Sequence, residues 1–159
     1  MSIFLPEKYK IVSGTAGIVT TNGGVTCDYV SLRNIDMAWI VLHFLQAATH
    51  ATVINPRRAT AVDGTGSVAI NHAAEWWKNA DISATDTLVR QTAATTASCT
   101  LGVANQLVVI QIDPAQLGNT YDVMGCVITD STKATNFVSV VYYLETRYGA
   151  ATPPAAITD

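Results

Sequence analysis

Asp36-Met37-Ala38-Trp39-Ile40-Val41-Leu42-His43-Phe44-Leu45-Gln46 is the stretch on which the fold turns. It is apolar on both alternating sides, so a period of two leaves no obvious wet face. A helix fits as well, because Met37, Ile40, Val41, Phe44 and Leu45 share helical spacing. We read a strand. Trp, Ile, Val and Phe suit a pleated surface, and the neighbouring segments read as strands.

Upstream, Lys8 to Ser13 is a strand candidate, followed by turns at Gly14–Gly17 and Asn22-Gly23-Gly24. Val25 to Leu32 reads as one strand, with Val25, Cys27, Tyr29 and Ser31 on one face and Thr26, Asp28, Val30 and Leu32 on the other. Downstream, Thr49 to Ile54 and Arg58 to Val62 read as a strand interrupted at Asn55-Pro56, since Pro cannot donate to a ladder. Asp63-Gly64-Thr65-Gly66 is a tight turn, and Ser67 to Asn71 resumes the strand. Thr87 to Thr92 and Ser98 to Val103 are short strands around an Ala/Thr-rich loop.

The C-terminal half punctuates more clearly. Leu107 to Ile112 is a strongly apolar strand. Asp113-Pro114-Ala115-Gln116 predicts one capped helical turn, with Asp113 as cap and Pro114 at the first helical position. Tyr121 to Thr129 and Phe137 to Tyr148 follow as strands. The last has Val138, Val140, Tyr142 and Leu144 on one face and a mixed, partly wet opposite face. About eight or nine short strands with almost no helix predict a single-domain, all-β sandwich of jelly-roll type. The sandwich is expected over residues 8–148, with an N-terminal arm at 1–7 and an extended tail at 149–159.

The totals support one domain. The chain has 159 residues, 49% hydrophobic and 13% charged, with a formal net charge of −3. That composition is opposite to the low-hydrophobicity, high-charge signature of disorder. The nine Lys and Arg residues are scattered apart from Arg57-Arg58, so no basic stripe is available for nucleic acid or a membrane surface. The apolar stretch at Met37–Leu45 falls far short of the ~20 residues a spanning helix needs. Met1 to Lys10 has no small-residue cleavage site, so synthesis in the cytoplasm is expected. Cys27, Cys99 and Cys126 are widely spaced and odd in number, which predicts free, buried thiols.

Catalytic patterns are missed one by one. His43, His50 and His72 lack the helical pairing of a zinc site. His43 reads as a core or interface group. No Gly-x-Ser-x-Gly elbow occurs. Asp63-Gly64-Thr65-Gly66 differs from an aspartic-protease Asp-Thr-Gly by an inserted Gly, and it lacks the acidic spacing of a calcium loop. A Cys-dependent hydrolase remains an alternative with no local pattern in its favour. The sequence therefore predicts no catalytic residue, no cofactor and no metal.

Glu75-Trp76-Trp77-Lys78 is the most informative cluster. In an extended segment adjacent Trp residues point to opposite faces. One enters the core and the other is free to anchor a partner, since Trp dominates binding hot spots. A loop folded onto the core and a sugar-stacking platform are the competing readings. Phe4 in the N-terminal arm, and Pro153 and Pro154 in the tail, join them as interface candidates. Consecutive prolines hold a tail extended, which suits reaching over a neighbouring subunit.

Several pieces, in this order, resemble small structural proteins of tailed bacteriophages. They are Asp28-Tyr29-Val30-Ser31-Leu32, then Ala59 to Asn79 with its Asp-Gly-Thr-Gly turn and Trp77-Lys78-Asn79, then Ala104 to Asp113. Tyr121-Asp122 and Tyr142 to Tyr148 complete the set, which covers most of the chain. The resemblance is to head decoration, or cement, proteins. It implies a non-enzymatic virion protein on the capsid exterior that binds the major capsid protein and copies of itself, as a homotrimer on local threefold axes. Neither the three Cys residues nor the doubling of the Trp belongs to the resembling pattern, but the company Trp77 keeps with Lys78-Asn79 in the resembling segment implies Trp77 inward and Trp76 outward. A tail, connector or fibre component, or a carbohydrate-binding β-sandwich module, is the alternative.

Overall fold

The structure is a computed structural model describing residues 5–101 and 103–148, with the backbone alone at 98–101. Phe4, Pro153, Pro154, the 149–159 tail and the Cys99 side chain lie outside the described residues. In chain order the elements are α1 (Leu5–Lys8), β1 (Tyr9–Ser13), β2 (Val19–Thr20), β3 (Val25–Thr26), β4 (Val30–Ser31) and β5 (Ile35–Gln46). Next come β6 (His50–Ala59), β7 (Val68–Ala69), β8 (Glu75–Asn79), β9 (Val89–Arg90), β10 (Ala97–Leu101) and β11 (Asn105–Ile112). A 3-10 turn (Pro114–Gln116), β12 (Val123–Ile128) and β13 (Asn136–Thr146) complete the order among the described residues.

The result is an antiparallel β-sandwich. One sheet has seven strands in the order β1-β13-β5-β11-β8-β9, with β2 also paired to β13. The other has six in the order β10-β6-β12-β3, with β4 on β12 and β7 on β6. The strand reading of residues 36–46 holds. Ala38, Ile40, Leu42 and Phe44 are buried, while Met37, Trp39, Val41, His43 and Leu45 alternate with them and remain half-exposed. On β13 the face carrying Val138, Val140, Tyr142 and Leu144 is fully buried, as its pattern predicts. These rows meet Ile54, Met124, Cys126 and Ile128 of the opposite sheet in one continuous core. Asp113 caps the helical turn as expected, its carboxylate accepting from the Ala115 N–H at 2.9 Å.

Two expectations need correction. Residues 50–59 form one unbroken strand through Pro56. A residue in an antiparallel strand points its N–H and C=O to the same side. The Pro56 carbonyl accepts from the Ile70 N–H, away from β12. The missing donor therefore falls past the last β10 pair at Ile54 and just beyond the last β7 pair at Arg57, at the end of both ladders. Conversely, Val25–Leu32 divides into β3 and β4. Between them Tyr29 turns its ring onto Gly125 of β12, where a built Cβ would lie 2.5 Å from the ring. Only a glycine admits that approach.

The β5–β13 register is pinned at one end by Asn136, which is fully buried. Its Oδ1 accepts from the Ala47 and Ala48 N–H groups at 3.1 and 2.9 Å, and its Nδ2 donates to the Ala48 carbonyl at 2.8 Å. The side chain thus ties the turn that follows β5 to the start of β13. Asn136→Ala is expected to cost about 2–3 kcal/mol, because it orphans groups that the turn cannot pair otherwise. An unchanged urea midpoint would show that the clamp is dispensable.

Cys27 and Cys126 are buried free thiols lying side by side, as their sequence context predicts. The Cys27 N–H donates to the Cys126 carbonyl at 2.9 Å. A hydrogen bond with the Cys27 thiol, together with burial, pushes the Cys126 thiol well above its ordinary range, which leaves little thiolate. Neither cysteine should react with a thiol reagent in the native state, and both should titrate after unfolding. Rapid labelling of either at neutral pH, read by peptide mapping, would contradict this burial.

Candidate protein-binding face

The two outward faces of the sandwich differ in kind. On the six-stranded sheet, Tyr29 lies over Gly125, and its hydroxyl contacts the Ser67 hydroxyl at 2.6 Å. Arg57 donates to the Ser67 hydroxyl and carbonyl at 3.1 and 3.0 Å. This network gives that face fixed polar cover.

The seven-stranded sheet has an apolar outward face. Register sets its rows. Ile11, Tyr143, Trp39 and Gln111 are consecutive cross-strand neighbours, and Val141, Val41, Val109 and Trp77 form the row beside them. The face continues to Phe137 beside Leu45, where Phe137 is 37% exposed, and at the β1 edge Ile11 is 46% exposed. Tyr9 and Trp39 pack as tilted rings 6.1 Å apart. With Leu5, Val41, Val109 and Tyr143 they line a shallow groove. Leu5, on the short helix α1, is 56% exposed at its rim. His43 belongs to this face too, half-buried between Ser139 and Leu107.

The doubled Trp divides between core and surface, but in the opposite sense to expectation. Trp76, expected outward, is 7% exposed and sits in the core cluster, with its indole N–H donating to the Thr92 carbonyl at 2.9 Å. Trp77, expected inward, is half-buried on the outward face beside Val109 and Arg90. Parity follows from β11: Trp76 is opposite buried Ile110, and Trp77 opposite Val109. A large polar-tipped ring also enters a core only where its N–H finds an acceptor, and Thr92 supplies one to Trp76 alone. Trp39, Tyr9, Val41 and Val109 were missed as site residues. The signal was present, since Met37–Leu45 has no polar face.

The rim of this face is charged but internally paired. Glu145 meets Lys8 at 3.1 Å, Glu75 meets Arg90 at 2.7 Å, and Asp36 meets Arg147 at 3.0 Å. Elsewhere, the Asp63 turn is an exposed structural turn. Thr65 donates to its carboxylate and holds it below the usual range. His72 is held below its ordinary value, chiefly by burial. Among the described residues no group of three or more His, Cys, Asp or Glu side chains is placed to hold a metal ion.

Comparison with protein-family models, curated proteins and solved structures finds no match.

The Trp assignment is open to direct measurement. Trp76→Ala should cost about 3–5 kcal/mol by urea unfolding, whereas Trp77→Ala should cost about 1 kcal/mol. Equal losses would place both rings in the core and remove Trp77 from the face.

Proposed function

We propose that the chain is a non-enzymatic structural protein of a bacteriophage head, added to the outer surface of the shell as a decoration protein. The observation that carries this reading is the apolar outward face of the seven-stranded sheet. The largest contiguous apolar patch on a typical monomer, roughly 300–600 Å², is often its binding site. Burial of such a face against neighbouring protein contributes roughly 25 cal/mol per Å² before association costs are subtracted. On a symmetric shell each contact is repeated, and any contact made only on the assembled shell stabilises that state by mass action.

The ordered resemblance to phage head proteins supplies the biological setting. Its partners are then the major capsid protein and further copies of this chain, with Phe4 and the Pro153-Pro154 tail as arms toward the shell. It is made in the host cytoplasm and ends on the capsid exterior. A carbohydrate-binding module is the second reading, favoured by Trp39 and Tyr143 as cross-strand neighbours on an open face. Sugar recognition also needs polar groups around the stacked ring. Tyr9 and Tyr143 carry the only side-chain polar atoms among the six residues lining the groove besides the Trp39 indole N–H, so protein burial is preferred.

Gold-labelled antibody against the chain should decorate the outside of full heads in purified virions. Label confined to tails or fibres would move the protein to that part of the particle, and unlabelled virions would overturn the structural role.

A further inference from the structure

We infer that the partner seated on the outward face of the seven-stranded sheet is a second copy of this chain, packed sheet to sheet. The inference rests on the proposed structural role and names the occupant of its surface.

Size is the first argument. From β1 to β8 the face spans five adjacent strands, roughly 19 Å at ~4.8 Å per spacing. Along β5, Met37 to Leu45 runs roughly 27 Å at ~3.4 Å per residue. The flat footprint is therefore roughly 400–500 Å², because β1 and β8 are only five residues long. A stable pair buries about 800 Å² per partner. The face thus supplies more than half of one partner's share, with Leu5 of α1 extending it at the β1 edge.

Charge is the second. A twofold contact sets identical patches against each other, so a charge near the axis faces its own copy, and a charge away from it faces whichever residue the rotation brings there. Here the acidic rim residues Glu145, Glu75 and Asp36 each have a cationic partner within the same chain. The centre, at Val41 and Val109, carries no charge. The surface is neutral in itself and meets its own copy without repulsion.

Shape is the third. Two sheets stack face to face at about 10 Å, with side chains interdigitating, either nearly aligned or crossed. The half-buried side chains of Trp39, Val41, Val109 and Tyr143 present such a corrugated layer. A face-to-face contact closes a pair, so the unit is twofold rather than the threefold ring implied by the resemblance. The chain ends then remain for the shell.

Val41→Glu and Val109→Lys place opposite charges at the centre of the face and leave the core untouched. Sedimentation velocity at micromolar concentration should show a dimer for the unaltered chain and a monomer for each variant, with the dissociation constant raised ~100-fold or more. An equimolar mixture of the two variants should regain the dimer, because one face then meets its complement. Trp39→Ser weakens the same contact without adding charge, and it carries the test if either charged variant fails to fold. An unaltered chain that stays monomeric at roughly 100 µM overturns the inference, as does a mixture that stays monomeric. Head labelling with a monomeric chain sinks this contact and spares the structural role. A dimer absent from virions does the reverse.

Discussion

Asn136 resolves an ambiguity that apolar patterning leaves open. A strand with one wet face has its register set by burial, because a one-residue slip would send its apolar set into water. β5 lacks that safeguard: Trp39, Val41 and Leu45 could occupy the core almost as cheaply as Ile40, Leu42 and Phe44. Hydrogen bonds decide instead. The Asn136 amide fits the Ala47–Ala48 turn through three bonds, and its own carbonyl accepts from the Thr21 N–H. A slip of β5 by one residue would break the three amide bonds at once. The same parity then runs through β13 and β11 to β8, and it decides which Trp is buried.

Once that parity is set, the two outer surfaces acquire different chemistry. The outer face of β6 and β12 bears Asn55, Arg57 and Val127, and Tyr29 and Ser67 complete a bonded polar cover. The outer face of β13, β5 and β11 bears Val141, Val41 and Val109 in one row. Water solvates the first surface well and the second poorly. The asymmetry gives the molecule one side suited to burial against protein and one suited to solvent, without a special motif on either.

Much of this was legible. The buried row of β13 and the Asp113 cap follow from local pattern, since each depends on residues close in sequence. The continuity of β6 through Pro56 was not, because it depends on where β10 ends and on which side the Pro56 carbonyl points. The division of Val25–Leu32 was hidden too, since it needs Gly125, about a hundred residues away, to admit the Tyr29 ring. Alternation showed that Trp76 and Trp77 must part. It could not show which goes inward, because Thr92 and Ile110 decide that from elsewhere in the chain.

The helix-or-strand ambiguity of residues 36–46 now has a physical origin. A strand in an antiparallel sandwich ordinarily alternates, with polar residues on the face that meets water. β5 departs from this rule along its whole outward row except His43, and its neighbours β13 and β11 depart with it at Val141, Tyr143, Leu107 and Val109. Breaches of local consistency concentrate where function overrides folding. A sequence that merely had to fold would gain solubility from Thr or Lys at Val41 and Val109 and lose almost no core. Apolar residues there benefit a state in which that face is covered. The surface feature that blurred the fold in the sequence is therefore the same one that points to assembly.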